Sequence, residues 1–432
     1  MALRIINYKL TQGLHVSGTC PPDNAQTMNG PKIIITMHYM ELGGAETALL
    51  GLLEALTQRG VQVDLFVYAH RGELMAHIPD AVNVLPQIPV YADIESPMTT
   101  ALRHGHVRLV LARLKARLAH RRHVRTLAAP PQNDASIFQY VGNAVSPVLP
   151  DINPGVCYDL CISFMTPHNI AADHVRARRR VAWIHADYAS QYNDTAAELD
   201  AWSRFDRIVS ISPAVTRSFV SVFPTLADRI VEVENILPRH YIATRLGQDS
   251  QSPEFRPVAV KLLSVGRLCY AKNFDNIPGI ARLLVERHGL DIQWIIIGDG
   301  GDRGLIEQRI AQAGVSDRVH LVGKKDNPYP YIAACDIYVQ PSRTEGKSIT
   351  VREAQMLGRP VVIANYTTAA SQVSDGVDGL IADGDNDSLA RAIARLCDDG
   401  TLRDTITRNI AARDYVMADQ AENVVALCRD KN

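Results

Sequence analysis

The chain has 432 residues, with 45 basic and 46 acidic side chains and a formal net charge of -1. It is 47% hydrophobic and 21% charged, a composition typical of a globular protein long enough for two or three domains. The nearly balanced charge gives no electrostatic basis for binding nucleic acid. No apolar run approaches the ~18 residues of a membrane-spanning helix, and the first residues lack the apolar core of a signal peptide.

The seven cysteines are odd in number and scattered. Cys157 and Cys161 are four positions apart, but no second pair accompanies them, so a zinc site is not favoured. The pattern indicates reduced thiols and therefore a cytoplasmic protein.

The N-terminal half begins with a polar stretch, residues 1–30, which we predict to be a flexible extension. An apolar strand at 32–37, a turn with Gly43 and Gly44, a helix to about Gln58 and a strand at 61–67 then form a β-α-β unit. Continuous apolar strands of this kind are typical of a buried parallel sheet. Further strands are predicted at 160–164, 180–184, 207–211 and 231–236. Ser212 and Pro213 are typical of an N-cap and a first helical residue.

The polar stretch 246–253 is predicted to link two domains, 31–245 and 255–415. The second domain repeats the alternation, with a helix at 305–313 among others. Its strands are predicted at 260–265, 293–297, 319–322, 337–340, 360–363 and 380–381. Two doubly wound domains in tandem make a cleft between the carboxyl ends of their sheets, where ligands bind. Residues 416–432 are predicted to form a helix that packs back on the first domain.

The most informative segment runs from Glu345 to Glu353. It follows an apolar strand, begins with a glycine turn at Gly346 and leads into a helix over about 351–357. Free backbone N–H groups at such a helix start bind phosphate. Glu353, about two turns along, can face the same ligand, so one helix start can hold a sugar, a diphosphate and a ribose.

Several motifs occur in order in the second half: residues 264–268 followed by Lys272 and Asn273, then 297–300, 319–323, 327–331, and the two glutamates eight positions apart. With these motifs the second half resembles the nucleotide-sugar domain of the retaining glycosyltransferases of family 4. The first half is similar more weakly, through residues 43–46 and through His185 after a central strand. The resemblance implies an α/β GT-B fold, with two Rossmann-like domains facing a cleft. The first domain would bind the acceptor and the second the nucleotide sugar.

The resemblance also implies roles for individual residues. Arg267 and Lys272 would neutralise the leaving diphosphate, so neither a metal nor a cofactor is required. Glu345 would steady positive charge at the anomeric carbon, Glu353 would bind the ribose, and His185 would reach the donor sugar near the reaction centre. The other donor-binding positions are Gly266, Gly323, Gly346, Lys347, Ser348, Ile349 and Thr350, while Gly43 and Gly44 would approach the donor phosphate or acceptor. Lys347 stands where the family often has an aromatic residue or proline, which leaves the sugar preference open.

Each of these residues also has a structural interpretation: a solvated cation, a helix cap, a strand-end histidine or a plain turn. His168 and Asp187 are weaker site candidates. Residues 298–301 lack the full G-x-G-x-x-G spacing and are interpreted as a structural β–α turn. Asp383, Asp385 and Asp387 alternate as in a calcium loop, but Ser388 replaces the required glycine. We therefore predict that Asp387 or Ser388 caps a helix.

Residues 103–125 contain seven arginines, one lysine and no acid. On a helix, Val107, Val110, Leu111, Leu114 and Leu118 form one apolar stripe, with Arg108 and Lys115 on one side and Arg113 and Arg117 on the other. This pattern is typical of a helix on an anionic membrane surface; the alternative is a helix docked on its own domain. A second basic cluster lies at 176–180. We therefore predict a cytoplasmic protein that binds the inner face of the membrane peripherally.

The sequence thus predicts a retaining transferase that moves a hexose or N-acetylhexosamine from a nucleotide sugar, with UDP expected. The acceptor would be a saccharide or lipid-linked saccharide of a cell-surface polysaccharide. Three alternatives stay open: a GDP-mannose-dependent mannosyltransferase, an epimerase or sugar phosphorylase on the same architecture, and a non-catalytic GT-B protein that binds nucleotide sugars.

Overall fold

The computed structural model describes residues 20, 30–129, 131, 133–248, 255–257 and 260–429. Most of the predicted N-terminal extension therefore lies outside the described residues, as do residues 249–253 of the predicted linker. The first three linker positions are helical, because the helix that begins at Arg239 continues to Gln248. No helix in the described ranges is long and apolar enough to cross a membrane.

The N-terminal domain is a parallel sheet between helices. Within the described residues the sheet has seven strands in the order β3-β2-β1-β4-β5-β6-β7. They are β1 (Lys32–Met37), β2 (Gln62–Val67), β3 (Asn83–Val84), β4 (Tyr158–Ser163), β5 (Ala177–Ile184), β6 (Arg207–Ser210) and β7 (Ile230–Glu232). The helices are α1 (Gly44–Gln58), α2 (Pro89–Ala92), α3 (Met98–Arg103), α4 (Val107–Val124), α5 (Ser136–Val145), α6 (Asn169–His174), α7 (Thr195–Ser203), α8 (Pro213–Val222) and α9 (Arg239–Gln248).

The C-terminal domain repeats this plan with a six-stranded sheet in the described residues, ordered β10-β9-β8-β11-β12-β13. The strands are β8 (Val260–Val265), β9 (Ile292–Ile297), β10 (Val319–Leu321), β11 (Ile337–Gln340), β12 (Val361–Ala364) and β13 (Leu380–Ala382). The helices are α10 (Ile277–Glu286), α11 (Arg303–Ala313), α12 (Tyr329–Ala334), α13 (Ile349–Met356), α14 (Asn386–Asp398), α15 (Gly400–Ala411) and α16 (Gln420–Ala426).

Both sheets reverse their strand order next to their first strand. In the N-terminal sheet Ile35 pairs with Leu65 on one side and Ile162 on the other, and in the C-terminal sheet β8 lies between β9 and β11. The central strands are buried on both faces, as at Ile33 to Ile35, because helices cover both sides of a doubly wound sheet. The carboxyl ends on either side of such a reversal form a crevice.

The end of the chain contacts the N-terminal domain. The backbone N–H of Leu237 donates to the carbonyl of Val416 at 3.0 Å, and Arg59 at the end of α1 lies 3.4 Å from Glu422 of α16. A side chain on Gly51 would collide with the backbone of Ile236, so α1 packs closely on the segment that precedes α9.

Two sequence expectations are wrong in detail. Cys20 and Cys157 form a disulfide with their Cα atoms 5.9 Å apart, whereas the cysteine pattern favoured reduced thiols. The basic helix expected over 103–125 is broken at Gly105, whose φ of 80° separates α3 from α4. Ser212 does cap α8, because its hydroxyl accepts from the backbone N–H of Val215 at 3.2 Å.

Candidate functional site

The two domains approach each other at the carboxyl ends of β5, β11 and β1. A side chain on Gly346, in the turn after β11, would collide with the carbonyl oxygen of His185 at the end of β5. Similarly, a Cβ on Gly44, in the turn after β1, would lie only 3.4 Å from Ile349. The loops predicted from the two halves therefore meet in one crevice.

Glu345 and Lys272 form an ion pair within this crevice. Lys272 Nζ lies 2.6 Å from Glu345 Oε1, which also accepts from the Ser342 hydroxyl at 2.7 Å and the Gln340 amide at 3.4 Å. Ser342 and Gln340 are fully buried. The carboxylate that follows β11 is thus fixed by the end of that strand, by the turn after it and by a cation from the loop after β8.

Arg267 is exposed at the end of β8 and forms no hydrogen bond or ion pair with another described residue. Its charge acts on Glu46 in the first turn of α1. Burial raises the pKa of Glu46 to about 7, and the Arg267 charge opposes that rise. Arg267 is therefore a cation that faces the crevice and is free to pair with an anion.

The start of α13 offers fewer free N–H groups than its sequence indicates. The backbone N–H of Ser348 donates to the Gln372 side chain at 3.1 Å, and the Gln372 amide donates back to the Ser348 carbonyl. The N–H groups of Ile349, Thr350 and Val351 belong to the first turn, where a helix has no internal acceptor. These groups are placed to bind an anion.

Lys347 is tied to the N-terminal domain. Its ammonium lies 2.9 Å from Glu234, its side chain is 1% exposed, and burial lowers its pKa to about 8. Arg352 on α13 contacts the same carboxylate at 2.6 Å and donates to the Asn235 carbonyl at 3.3 Å. Glu234 thus joins the segment after β7 to the helix start, and nothing in the sequence near Glu234 indicates this role.

Glu353 is almost completely buried on α13. Its carboxylate accepts a hydrogen bond from the Tyr329 hydroxyl at 2.9 Å, and burial raises its pKa to about 7. Tyr329 in turn packs edge-on against Tyr241 of α9, with ring centroids 5.9 Å apart. The sequence motif contained Tyr329 but did not identify it as the partner of this carboxylate.

His185 contributes a partly buried imidazole from the N-terminal side. Burial lowers its pKa to about 4, so the ring is neutral near pH 7. Its Nε2 atom and the Nε1 atom of Trp183 are buried without a hydrogen-bond partner among the described residues. Both residues line a cavity of about 130 Å³ together with Phe138 and Glu198.

The weaker candidates serve the N-terminal domain itself. His168 is buried, contacts the Ser163 hydroxyl at 2.8 Å and packs on Trp202. Asp187 accepts a hydrogen bond from the Ser218 hydroxyl. None of these contacts brings His168 or Asp187 against the residues that follow β8 and β11.

The remaining glycines of the predicted donor set lie in a compact group of turns. A side chain on Gly298, whose φ is 151°, would collide with the carbonyl of Gly266. The backbone N–H of Gly298 donates to the Gly323 carbonyl at 3.0 Å. The turns after β8, β9 and β10 therefore pack backbone to backbone at the edge of the crevice.

Two further sequence predictions need correction. The cap of α14 is Asp385, whose carboxylate accepts from the Ser388 N–H at 2.8 Å, rather than Asp387 or Ser388. Arg113 does not lie on a cationic flank: it is 8% exposed and donates to the Asp93 carbonyl at 3.0 Å. Val110 is also buried, at 5%, so it does not belong to a surface stripe.

The rest of that stripe is exposed on α4. Val107, Leu111, Leu114 and Leu118 are 51%, 61%, 48% and 51% exposed. Arg108, Lys115 and Arg117 beside them are exposed too and form no ion pair with a residue of the described ranges. The helix instead packs on its domain through Leu109, Ala112 and Ala116.

Comparison with known proteins matches the C-terminal domain to a sequence family. Residues 248–413 match the family described as Glycosyl transferases group 1. The alpha-D-kanosaminyltransferase of Streptomyces kanamyceticus is 27% identical over 47% of this chain and 52% of its own length. The N,N'-diacetylbacillosaminyl-diphospho-undecaprenol alpha-1,3-N-acetylgalactosaminyltransferase of Campylobacter jejuni is 33% identical over 26% of this chain and 29% of its own. The chain thus spans about half or less of the length of these two relatives.

The fold of the whole chain is shared more widely. The crystal structure of Anabaena HepE in complex with UDP and glucose covers 92% of this chain and 99% of its own, with a TM-score of 0.62 and 19% identity. At that identity the likeness concerns the fold alone. The chain has the GT-B fold, and its C-terminal domain is similar to the group 1 glycosyl transferases, which together support a glycosyltransferase.

Proposed function

We propose that this protein is a retaining glycosyltransferase that transfers a hexose or N-acetylhexosamine from a UDP-sugar to a saccharide or lipid-linked saccharide. The observation that carries the proposal is the convergence of Lys272 and Glu345 with the start of α13, opposite His185. With Arg267 as a second cation and Glu353 as a buried carboxylate, this crevice offers groups that suit a nucleoside diphosphate sugar.

The donor diphosphate would lie at the start of α13. There the Ile349 and Thr350 N–H groups, the Arg267 guanidinium and the Lys272 ammonium can all donate to phosphate oxygens. An ammonium carries three N–H donors, so Lys272 can keep its bond to Glu345 while it contacts phosphate. The ribose hydroxyls would donate to Glu353, which also accepts from Tyr329.

Transfer breaks the bond between the anomeric carbon and the phosphate oxygen, and the electron pair leaves with the diphosphate. Fixed cations stabilise this developing charge without reorganisation, so we propose a metal-independent reaction. The acceptor hydroxyl attacks from the face on which the diphosphate departs, passes its proton to a departing phosphate oxygen, and the anomeric configuration is kept. The neutral imidazole of His185 would hydrogen-bond the donor sugar.

A UDP-sugar is the donor we propose first, because HepE, which shares the fold, forms a complex with UDP and glucose. One relative is named for a saccharide linked to diphospho-undecaprenol, which supports a lipid-linked acceptor and a role in cell-surface polysaccharide biosynthesis. The exposed apolar stripe of α4, with its unpaired cations, supports peripheral binding to an anionic membrane where such an acceptor would lie.

The test begins with a thermal-shift screen of UDP-, GDP- and ADP-sugars, because a ligand that binds the native state raises its melting temperature. The best donor is then incubated with saccharide acceptors, and the anomeric configuration of the product is read by NMR. Stabilisation by GDP-mannose alone would favour a mannosyltransferase, an altered sugar without transfer would indicate an epimerase, and a need for orthophosphate would indicate a phosphorylase.

Two variants test the site itself. Lys272→Ala and Glu353→Ala should each lower donor turnover by about 100-fold or more, whereas Arg391→Ala, an exposed arginine of α14, should retain it. Full activity in both site variants would refute the assignment. Donor binding with neither transfer nor hydrolysis would instead support the non-catalytic alternative.

A further inference from the structure

A cluster of three ligating side chains lies in the N-terminal domain, among residues that the proposed transfer does not use. Asp93 Oδ2 is 2.8 Å from His104 Nδ1 and 2.7 Å from His106 Nδ1. Within the described ranges this is the one group of three or more His, Cys, Asp or Glu side chains whose ligand atoms all lie within 4.8 Å of one another.

The local fold directs all three side chains to one point. Asp93 ends α2 and is 4% exposed, and the Ser96 hydroxyl donates to its other oxygen at 2.9 Å. That hydrogen bond leaves Oδ2 to face both imidazoles. Gly105, with a φ of 80°, makes the turn between α3 and α4 that brings His104 and His106 onto the same oxygen.

The contacts of the Asp93 carboxylate also suit a metal ion. Among the described residues its ion-pair partners are the two imidazoles. The buried guanidinium of Arg113 donates to the Asp93 backbone carbonyl at 3.0 Å. In the described part of the chain, the hydrogen-bond partners of Oδ2 are the two imidazoles, which can themselves be metal ligands.

Other histidines of the same segment each contact a single aspartate and form no cluster of three. His120 contacts Asp134 at 2.8 Å and His123 contacts Asp194 at 3.3 Å, each as a single histidine–aspartate pair. Two imidazole nitrogens and one carboxylate oxygen are instead a three-ligand set that Zn²⁺ and similar ions accept, with water in the fourth position. The His104 side chain is 55% exposed and that of His106 20%, so solvent and ions have access.

We propose that Asp93, His104 and His106 bind one divalent transition-metal ion of the Zn²⁺ class. Each imidazole would bind through Nδ1 and carry its proton on Nε2, so the ion takes the place of the two hydrogen bonds to Asp93. The ion would fasten the turn at Gly105 to the end of α2 and thereby hold the start of α4. It would be structural and separate from the transfer reaction.

The test uses the full chain, freed of metal by a chelator and titrated with Zn²⁺ by calorimetry at neutral pH. Co²⁺ provides a second probe, because its visible absorption reports tetrahedral coordination by nitrogen and oxygen. We expect one tight equivalent. Even outer-shell partners of metal ligands contribute about 10- to 100-fold in affinity, so His106→Gln and the double variant His104→Gln/His106→Gln should weaken binding by at least that factor.

The matched control is His120→Gln, which removes a histidine from a simple aspartate pair and should bind Zn²⁺ as the wild type does. Zn²⁺ should raise the melting temperature of the wild type and of His120→Gln, but not that of the double variant. Asp93→Asn is less decisive because Asp93 is buried and its replacement can disturb folding. Absence of a tight equivalent in the wild type, or equal affinity in the double variant, would overturn the proposal.

Discussion

Lys272 Nζ lies 2.6 Å from Glu345 Oε1 and thereby joins the loops that follow β8 and β11, the two strands on either side of the point where strand order reverses. The pair is partly exposed, at 22% and 10%, so it is open to the crevice as well as to its neighbours. Glu345 is oriented by Gln340 at the end of β11 and by Ser342, which follows that strand. Its charge is therefore placed before any donor arrives, which is the condition for stabilising charge without reorganisation.

The first prediction concerns this charge. Glu345→Gln keeps the size of the side chain but removes the negative charge, and we expect kcat for sugar transfer to fall by about 100-fold or more. Ser342→Ala, which removes only one hydrogen bond to the carboxylate, should cost about tenfold or less. Steady-state kinetics with the donor identified by thermal shift provides the measurement. If Glu345→Gln were as active as Ser342→Ala, the charge of Glu345 would have no part in transfer.

The second prediction is a pH dependence at Glu353. A carboxyl with a pKa of about 7 is mostly protonated at pH 6 and mostly ionised at pH 8, and ribose hydroxyls need the ionised form as their acceptor. Donor affinity should therefore rise about tenfold between pH 6 and pH 8. Glu353→Gln should bind weakly at both pH values, as measured by calorimetry. An equally steep rise in Glu353→Gln would assign the titration to another group.

The same pKa predicts the sign of a stability change. The folded state holds the Glu353 proton up to about pH 7, whereas the unfolded state releases it near 4.5. The free energy of unfolding should thus decrease as pH rises from about 4.5 to 7, by up to about 3 kcal/mol from this residue. Glu46 and Glu198 also have pKa values near 7, so the wild type and Glu353→Gln must be compared. The free energy of unfolding should decrease less with pH in Glu353→Gln than in the wild type. An equal decrease in the two proteins would contradict the prediction.

The third prediction concerns the close approach at Gly346. Alanine there would collide with the carbonyl of His185 and force the turn before α13 away from β5. A displacement of about 1 Å in a catalytic site can cost about 100-fold in rate, so transfer by Gly346→Ala should fall by roughly that factor. The control is Gly384→Ala, where an added Cβ has no neighbour within 4 Å. Equal activity of the two variants would show that the domains need not meet at this point.

The fourth prediction concerns Glu234, which holds two buried cations. Its replacement by Gln would leave the Lys347 and Arg352 side chains, 1% and 9% exposed, without their anionic partner. Removing one member of a buried pair costs about 3 kcal/mol, so Glu234→Gln should unfold at lower denaturant concentration, with tryptophan fluorescence as the probe. Adding Lys347→Met should recover part of the loss, because it removes one of the uncompensated charges. Unchanged stability in Glu234→Gln would contradict this role.

The sequence located most strands because they are short apolar runs between turn residues, but it did not predict β3 and placed β7 too far along, at 231–236 rather than Ile230–Glu232. The predicted bounds of β8 and β11 coincide with the observed Val260–Val265 and Ile337–Gln340. The helix start after β11 followed from the same local pattern. Local patterns cannot, however, identify partners that are distant in sequence: Glu234 and Arg352 are separated by 118 positions, and only the packing of two domains brings them together.

The basic helix shows a second limit of prediction from the sequence. The apolar stripe of α4 follows from its 3.6-residue period, but a period does not say which face a domain buries. The observed contact with the domain uses Leu109 and small residues, Ala112 and Ala116, and α4 lies against α5. That choice turns Arg113 inward and leaves the four larger apolar residues in solvent.

The last prediction tests what that exposed face binds. Leu111→Gln/Leu114→Gln/Leu118→Gln removes apolar surface without disturbing the core, because all three residues are about half exposed. We expect the variant to lose binding to vesicles rich in anionic lipid, measured by cosedimentation, while its melting temperature stays within a few degrees of the wild type.

The cations beside the stripe supply the electrostatic part of the same prediction. Each basic residue near an anionic surface contributes about 1 kcal/mol, so replacing Arg108, Lys115 and Arg117 by Gln should weaken vesicle binding by about 100-fold. Replacing three exposed arginines of the C-terminal domain, Arg282, Arg391 and Arg408, changes the net charge equally and should have little effect. Binding should also weaken with added salt. If the Arg108/Lys115/Arg117 variant and the Arg282/Arg391/Arg408 variant lost vesicle binding equally, net charge rather than the cations of α4 would govern binding to the vesicles. Wild-type binding that was no stronger to anionic than to neutral vesicles would mean that this face packs against something other than a lipid surface.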